Sequence, residues 1–500
     1  MAEQILKDLH FLLPEVVLTA TLLIAIITDL ISKRPVFTMA VVLTGFAVAL
    51  GIVIGQWGAN TTVFSNMLAV DPFSSFFKLV ILVSAILIVL FSPWSSELTN
   101  RPRPLGEYYA LIVGMTLGIV LMAGANNLLM MYLALELSSI SSYILTGFTR
   151  EATDSSEASL KYVIYGAFSS GLMLYGISIL YGLTGTLDLG LINQELPGVI
   201  ARGGSSVYAL AIAGMLALAG FGYKISAVPF HFWAPDVYEG APITITAFLS
   251  VASKAGGFAM MIRFFKVIFI DTGAPGLSLG AWASMNGFAW YHFVAALSVL
   301  TMTVGNVVAL WQTNLKRMLA YSSIAHAGYL LMGVVVMNND GLAAIMIYFV
   351  VYMFMNLGAF YVVMLMAGKI GSEDMEDYKG LGPRAPLMTV SLSIFLISLT
   401  GLPPTAGFVG KLYLFAAAIN NGWVWLAVVA AINSVIALYY YIRVMKNMYL
   451  EKSEVTTAIA FSYPQRAMVL VLVVPVLLLG IYFAPLSDLA QACVKIVGTP

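Results

Sequence analysis

Along this chain, apolar residues run for about twenty positions at a time between short polar breaks. The runs fall near residues 12–31, 36–56, 73–92, 107–123, 126–148, 159–182 and 206–228, then 243–266, 287–311, 317–337, 342–368, 387–418, 422–446 and 466–485. A helix needs about 20 apolar residues to cross the hydrocarbon, and only helices or closed barrels satisfy the backbone there. The alternating segments of about ten residues that build a barrel are lacking. The pattern therefore predicts an all-α polytopic membrane protein of fourteen transmembrane helices. The first run is long, carries Glu15 near its start and is followed by no small-residue cleavage site, so it is expected to remain as a helix. No linker is long or polar enough for a soluble domain.

Composition narrows the class further. Of 500 residues, 60% are apolar and only 10% charged, against about 25% charged in soluble proteins. That excludes a water-soluble enzyme, a disordered chain and a nucleic-acid-binding chain. With one cysteine, Cys493, there is no disulfide framework, and no Cys/His cluster is spaced to hold zinc, haem or an iron–sulfur centre. No cofactor is expected on this chain, and any redox chemistry belongs to a partner.

The 24 basic residues sort by position. With both termini on the non-cytoplasmic side, the cytoplasmic connections hold Lys33, Arg34, Arg101, Arg103, Arg150, Lys316, Arg317, Lys369, Lys379, Arg384, Arg443, Lys446, Lys452 and Arg466. The other side holds Lys7, Arg202, Arg263, Lys266 and Lys495, a bias that fits the positive-inside rule. Five lysines remain inside apolar runs: Lys78, Lys161, Lys224, Lys254 and Lys411, with Glu136 as the one acid at comparable depth. Each such charge costs about 2.5 to 3.5 kcal/mol to insert, so together they imply a buried hydrophilic path. Lys78 and Lys161 lie within about two turns of their helix starts and could instead snorkel. Lys254 and Glu136 lie ten or more residues from either end of their runs, too deep to snorkel.

Prolines accompany the lysines. Pro229, five residues after Lys224, removes a backbone donor and breaks the seventh run, and Pro403-Pro404 does the same in the twelfth, before Lys411. A lone proline can be an ordinary kink; two breaks, each beside a lysine, point to a hydrated transport path. The two broken helices are five crossings apart and cross in opposite directions. Helices 4–8 and 9–13 are therefore expected to form two inverted five-helix repeats, each with one broken helix. The expected divisions are 1–106, 107–266, 287–448 and 449–500. The second half adds His326, able to carry a proton near neutral pH or else to serve as a hydrogen-bonded packing residue, with Tyr352 and Asn356 on the eleventh span. His292 and His10 are expected to do nothing special. A lysine's proton affinity responds to burial and to a nearby carboxylate. A switchable Glu136–Lys224 contact would thus control release of a proton from Lys224 to Lys254.

These residues also match a family. The stretch Lys224-Ile-Ser-Ala-Val-Pro-Phe-His-Phe-Trp-Ala-Pro-Asp-Val-Tyr-Glu-Gly-Ala-Pro242 resembles the seventh-helix signature of the antiporter-like subunits of respiratory complex I, and its Asp236 to Pro242 wording resembles the N-type (subunit 2-like) member. Leu315-Lys-Arg-Met-Leu-Ala-Tyr-Ser-Ser-Ile-Ala-His326 and Gly401-Leu-Pro-Pro-Thr-Ala-Gly-Phe-Val-Gly-Lys411 resemble its tenth- and twelfth-helix motifs. The span count and the lack of a long lateral amphipathic helix also resemble the N-type rather than the L-type. The resemblance implies a proton-pumping membrane subunit of NADH:quinone oxidoreductase in a bacterial inner membrane. Its partners would be neighbouring antiporter-like and small membrane subunits and a peripheral arm holding NADH, FMN, iron–sulfur clusters and quinone. By motif position it implies proton transfer by Glu136, Lys161, Lys224, Lys254, His326 and Lys411, with His231 on the same polar axis. One departure is Pro242-Ile-Thr-Ile-Thr246, where the family usually reads Pro-Thr-Pro-Val-Thr, which questions how the eighth helix begins. Two other classes share these features: a Mrp-type or free-standing cation/proton antiporter subunit, and a passive scaffold whose polar residues only join helices.

Overall fold

The computed structural model describes residues 2–100, 105–271, 282–285, 289–336, 338–453, 455 and 457–497. Arg101, Arg103 and the expected start of the ninth span at 287 lie outside the described residues. The first half holds α1 (Leu13–Ser32), α2 (Pro35–Gly55), α3 (Pro72–Phe91), α4 (Gly106–Gly124), α5 (Leu128–Thr146), α6 (Thr153–Thr184), α7 (Ser205–Ile225), the short α8 (Trp233–Gly240) and α9 (Ile243–Ile268). The second holds α10 (Trp290–Ala309), α11 (Leu315–Val335), α12 (Asn339–Ile370), α13 (Pro386–Thr400), α14 (Ala406–Asn420), α15 (Val424–Tyr449) and α16 (Tyr463–Ile481). Among the described residues, thirteen helices are long and apolar enough to cross a membrane; α13 and α14, two shorter apolar helices of 15 residues each, occupy the stretch expected to form the twelfth span.

Local chemistry sets the ends. Prolines open α2, α3 and α13, where the missing N–H has no intrahelical partner to lose. Asp71 and Ser74 form a capping box on α3, and Asn127, Asn314 and Asn338 cap α5, α11 and α12 through their side chains. The start of α9 is intact without the second proline: Pro242 is its N-cap, and the amide of Ile243 donates to Glu97 Oε2 at 2.7 Å.

The helices grade from core to rim. All of α9 is buried, and α11 and α12 nearly so, whereas α1 and α16 turn most of their surface outward. Leu23, Ile24, Ile27 and Leu30 of α1 are exposed apolar residues of the kind that face lipid. The halves meet where α8 packs on α11 and where α9 packs on α12 as well as on α3, α4 and α7. Two small hairpins, Thr61–Val63 with Leu68–Val70 and Ile270–Asp271 with Ala283–Ser284, decorate the bundle.

The sorting of charges needs correction. Arg263 and Lys266, counted on the non-cytoplasmic side at the end of the eighth run, are buried in the last turns of α9 rather than open to that face. Arg263 makes a two-pronged pair with Asp71, 2.9 Å on each arm, with neither side chain exposed at all. Lys316, expected in a cytoplasmic connection, is buried at the start of α11 between Glu97 (3.0 Å) and Glu373 (2.8 Å). Lys78 does not snorkel: it is buried and bound at 2.6 Å to Glu15, in the first turn of α1.

Candidate functional site

The first broken helix ends at Ile225, with Ser226 in a left-handed conformation, and resumes at Trp233; the second ends at Thr400 and resumes at Ala406. Pro229 and Pro403-Pro404 lie in the two gaps, as their chemistry requires. Backbone donors at the breaks find substitutes: Val228 N in the first gap donates to Thr301 Oγ1 at 3.0 Å, and Gly407 N in the first turn of α14 to Ser398 Oγ at 3.0 Å.

Lys224 sits in the last turn of α7, buried, with its ammonium donating to Ser138 Oγ (2.5 Å) and Ser139 Oγ (3.3 Å) of α5. Its stem packs against Gly257, one turn beyond Lys254 on α9. Lys254 is 1% exposed and donates to the backbone carbonyl of Ser323 on α11 at 2.6 Å. Just before Lys254, residues Leu249–Ser253 form a π turn, a feature often found at functional sites. Asn356 of α12 donates to Ser250 within that turn at 2.6 Å.

One turn past Ser323 stands His326, buried, its Nδ1 2.5 Å from the Tyr348 hydroxyl and its Nε2 3.5 Å from the Tyr441 hydroxyl. Tyr352 lies beside the imidazole, ring centres 5.1 Å apart. Tyr348, Tyr352 and Asn356 recur every fourth residue and so share one face of α12. One more turn along α11, Tyr329 lies 5.8 Å from His326 and lies under the Lys411 ammonium at 4.5 Å. Lys411 donates to the carbonyl of Thr400 (2.7 Å) and to Ser434 Oγ (3.1 Å). Thr400 ends α13, so the lysine caps the negative end of the preceding half-helix.

The result is a buried line from Lys224 through Lys254 and His326 to Lys411. Near this line the side-chain oxygens of Ser226, Ser253 and Asn356 are buried, and the hydroxyl of Ser323 faces those of Tyr238 and Tyr352. These hydroxyls and the Asn356 amide place polar groups beside the buried lysines, in an interior where polar atoms are almost always hydrogen-bonded. No carboxylate lies within ion-pairing distance of Lys224, Lys254 or Lys411 among the described residues. The line consists of amines, an imidazole and hydroxyls, all able to donate a proton and, once deprotonated or as hydroxyls, to accept one.

Three expected residues sit differently. Glu136 is half-buried at the rim of α5, next to the outward Leu133, Leu137 and Ile140, so its depth along the helix did not make it a core residue. It lies one turn from Ser139, the hydroxyl that Lys224 reaches, and forms no ion pair with Lys224. Lys161 is 38% exposed and bound to Asp236 (2.5 Å) and Glu157 (2.8 Å). His231 is buried in the first gap beside the Pro229 carbonyl, and among the described residues no hydrogen bond joins it to the line. Sequence reasoning missed Ser138, Ser139, Ser323, Tyr329, Tyr348 and Tyr441. The Ser138-Ser139 pair inside an apolar run and the four-residue spacing of Tyr348 from Tyr352 were the available signals.

Known proteins place this arrangement. A family profile described as "NADH:quinone oxidoreductase/Mrp antiporter, TM" matches residues 125–437. The chain is 49% identical to the "NADH-quinone oxidoreductase subunit N 2" of Chloroherpeton thalassium, covering 97% of this chain and 94% of that one. It is 45% identical to the "NADH-quinone oxidoreductase subunit N" of Chlorobium chlorochromatii, over 98% and 95%. A chain of respiratory complex I from Thermus thermophilus superposes with a TM-score of 0.77 at 30% identity, covering 96% and 99%. This chain thus belongs to the NADH:quinone oxidoreductase/Mrp antiporter family of transmembrane proteins.

Proposed function

We propose that the chain is the N-type, proton-translocating membrane subunit of a bacterial NADH:quinone oxidoreductase, in which quinone reduction elsewhere in the complex drives protons along the line from Lys224 to Lys411. The observation that carries this reading is three buried lysines and a buried histidine held by hydroxyls and backbone carbonyls, with no ion pair to any of the three lysines among the described residues. The names borne by its full-length relatives support the same reading over a Mrp-type antiporter.

On this reading the partners are neighbouring antiporter-like and small membrane subunits. The redox arm of those partners holds NADH, FMN, iron–sulfur clusters and quinone. Helices α4–α9 and α10–α15 act as inverted halves, each with one broken helix. The location is the bacterial inner membrane with both termini on the non-cytoplasmic side, a placement that rests on the basic residues of the connections. Glu136 moving toward the Ser139 end of Lys224 holds the lysine's proton; withdrawal of that carboxylate frees the proton for the hydroxyls of Ser226 and Ser253 and for Lys254. From Lys254 the route follows Ser323, His326 and Tyr329 to Lys411.

The test is NADH-driven proton pumping by the assembled complex in vesicles. Lys254→Ala and Glu136→Gln are each expected to lower pumping at least tenfold and about fivefold respectively, as loss of an essential and of a modulating proton-transfer group would. Unchanged pumping by Lys254→Ala would sink the relay, and sodium movement by the chain without redox partners would favour the antiporter reading.

A further inference from the structure

Lys161 belongs by motif to the proton-transfer residues, yet its surroundings differ from those of Lys224, Lys254 and Lys411. Its ammonium opens on a surface cavity of about 250 Å3 lined by Asp154, Glu157, Asp236, Glu239 and Arg317. It has two carboxylates within 2.8 Å, and among the described residues it donates no hydrogen bond to any member of the buried line. Asp236 belongs to α8, the segment that follows the first break, and its two oxygens are divided: Oδ2 accepts from Lys161 of α6 at 2.5 Å, and Oδ1 accepts from Arg317 of α11 at 2.8 Å. Arg317 also binds Glu239 Oε2 at 2.6 Å, one turn further along α8.

Resting on the proton-translocation reading above, we infer that Lys161 is a positioning residue: with Arg317 it grips Asp236 from both halves of the chain and fixes the helix segment after the first break. A single exposed ion pair stabilises little. Here one carboxylate is shared by two cations on different helices, so moving α8 breaks contacts to α6 and α11 together. Movement of α8 reaches the line by two routes. Trp233 at its start donates to the carbonyl of Tyr223 (3.0 Å), the residue before Lys224, and stacks on Tyr162, the residue after Lys161, at 4.4 Å. Arg317 stands on the helix whose Ser323 carbonyl holds Lys254. At the far end of α8, a Cβ on Gly240 would lie 2.4 Å from the Asp154 carbonyl oxygen, so the segment already rests hard against α6.

Arginine separates the two roles, because it keeps the charge and the donors but does not give up its proton. Proton pumping and NADH oxidation are measured on the assembled complex in vesicles, with assembly quantified for every variant. Lys161→Arg is expected to pump within about twofold of the parent. Lys161→Ala and Asp236→Asn are each expected to lose about two- to fivefold, and the double variant no more than Asp236→Asn alone, since that substitution already removes the Lys161 contact. Lys254→Arg is expected to abolish pumping. If Lys161→Arg is as damaged as Lys161→Ala while Asp236→Asn is not, Lys161 carries the proton and the inference is overturned. It is equally overturned if Lys161→Ala and Asp236→Asn both pump normally. Normal pumping by Lys254→Arg together with Lys254→Ala instead defeats the underlying proton-translocation reading, whatever Lys161 does.

Discussion

A charge inside an apolar run reports how deep a residue lies but not which way it faces. Lys254 and Glu136 both lie near the middle of their helices, yet one is buried in the core and the other sits at the rim of α5. Depth is a property of the run, whereas facing depends on which neighbours cover each side of the helix. Ion pairs between distant residues were illegible for the same reason, since Glu15 and Lys78 are 63 positions apart and Asp71 and Arg263 are 192 apart. The second pair makes a sharp prediction. Burial alone would raise the Asp71 carboxyl, but Arg263 and the amides of Val497 and Ser74 outweigh it and hold the carboxyl below its usual range. Asp71→Asn strands a buried guanidinium, and the expected loss is about 3 to 5 kcal/mol of stability, read as a lower melting temperature of the purified protein. Because the folded carboxyl is depressed, its contribution is complete above about pH 4 and is lost only as the pH falls through the depressed value. The melting gap between parent and variant should therefore be constant from about pH 5 to pH 8 and close in stronger acid.

At the scale of elements, the breaks were legible and the π turn was not. Pro229 and Pro403-Pro404 interrupt helices by covalent chemistry, which any neighbourhood must accept. The π turn at Leu249–Ser253 contains no proline or glycine; there Asn356 of another helix bonds Ser250, a contact that only folding supplies. At the second break and the start of α14, two glycines are required for different reasons. Gly401 has a φ of +88°, and a Cβ there would also meet Lys411 Cδ at 2.7 Å. Gly407 has ordinary backbone, but its Cβ would stand 1.7 Å from the Ser398 carbonyl oxygen, so α14 can approach the end of α13 only without a side chain. Gly407→Ala should force the half-helices apart and cost about 1 to 3 kcal/mol, with pumping reduced because Lys411 loses its seat on Thr400. Gly51→Ala, on α2 with open space around it, is the control expected to melt like the parent.

For the whole molecule, outward apolar residues on α1 and α16 and an all-buried α9 describe a bundle solvated by lipid, with its polar material turned inward. The positive-inside bias predicts that small epitope tags on the two ends label together from the non-cytoplasmic face of intact cells. Labelling of either tag only after the membrane is opened to the cytoplasm would reverse the proposed orientation. Moving Arg263, Lys266 and Lys316 into the interior leaves that prediction standing, because the remaining basic residues still favour one side. The sequence by itself determined the fold class, the crossings, the two broken helices and the lysines beside them, because hydropathy, proline chemistry and charge act locally along one chain. Only the tertiary structure decided which lysines belong to the buried line and which to surface ion pairs. Lys161, near its helix start, and Lys254, mid-helix, both stand in apolar runs, and packing brings two carboxylates to the first ammonium and a backbone carbonyl to the second.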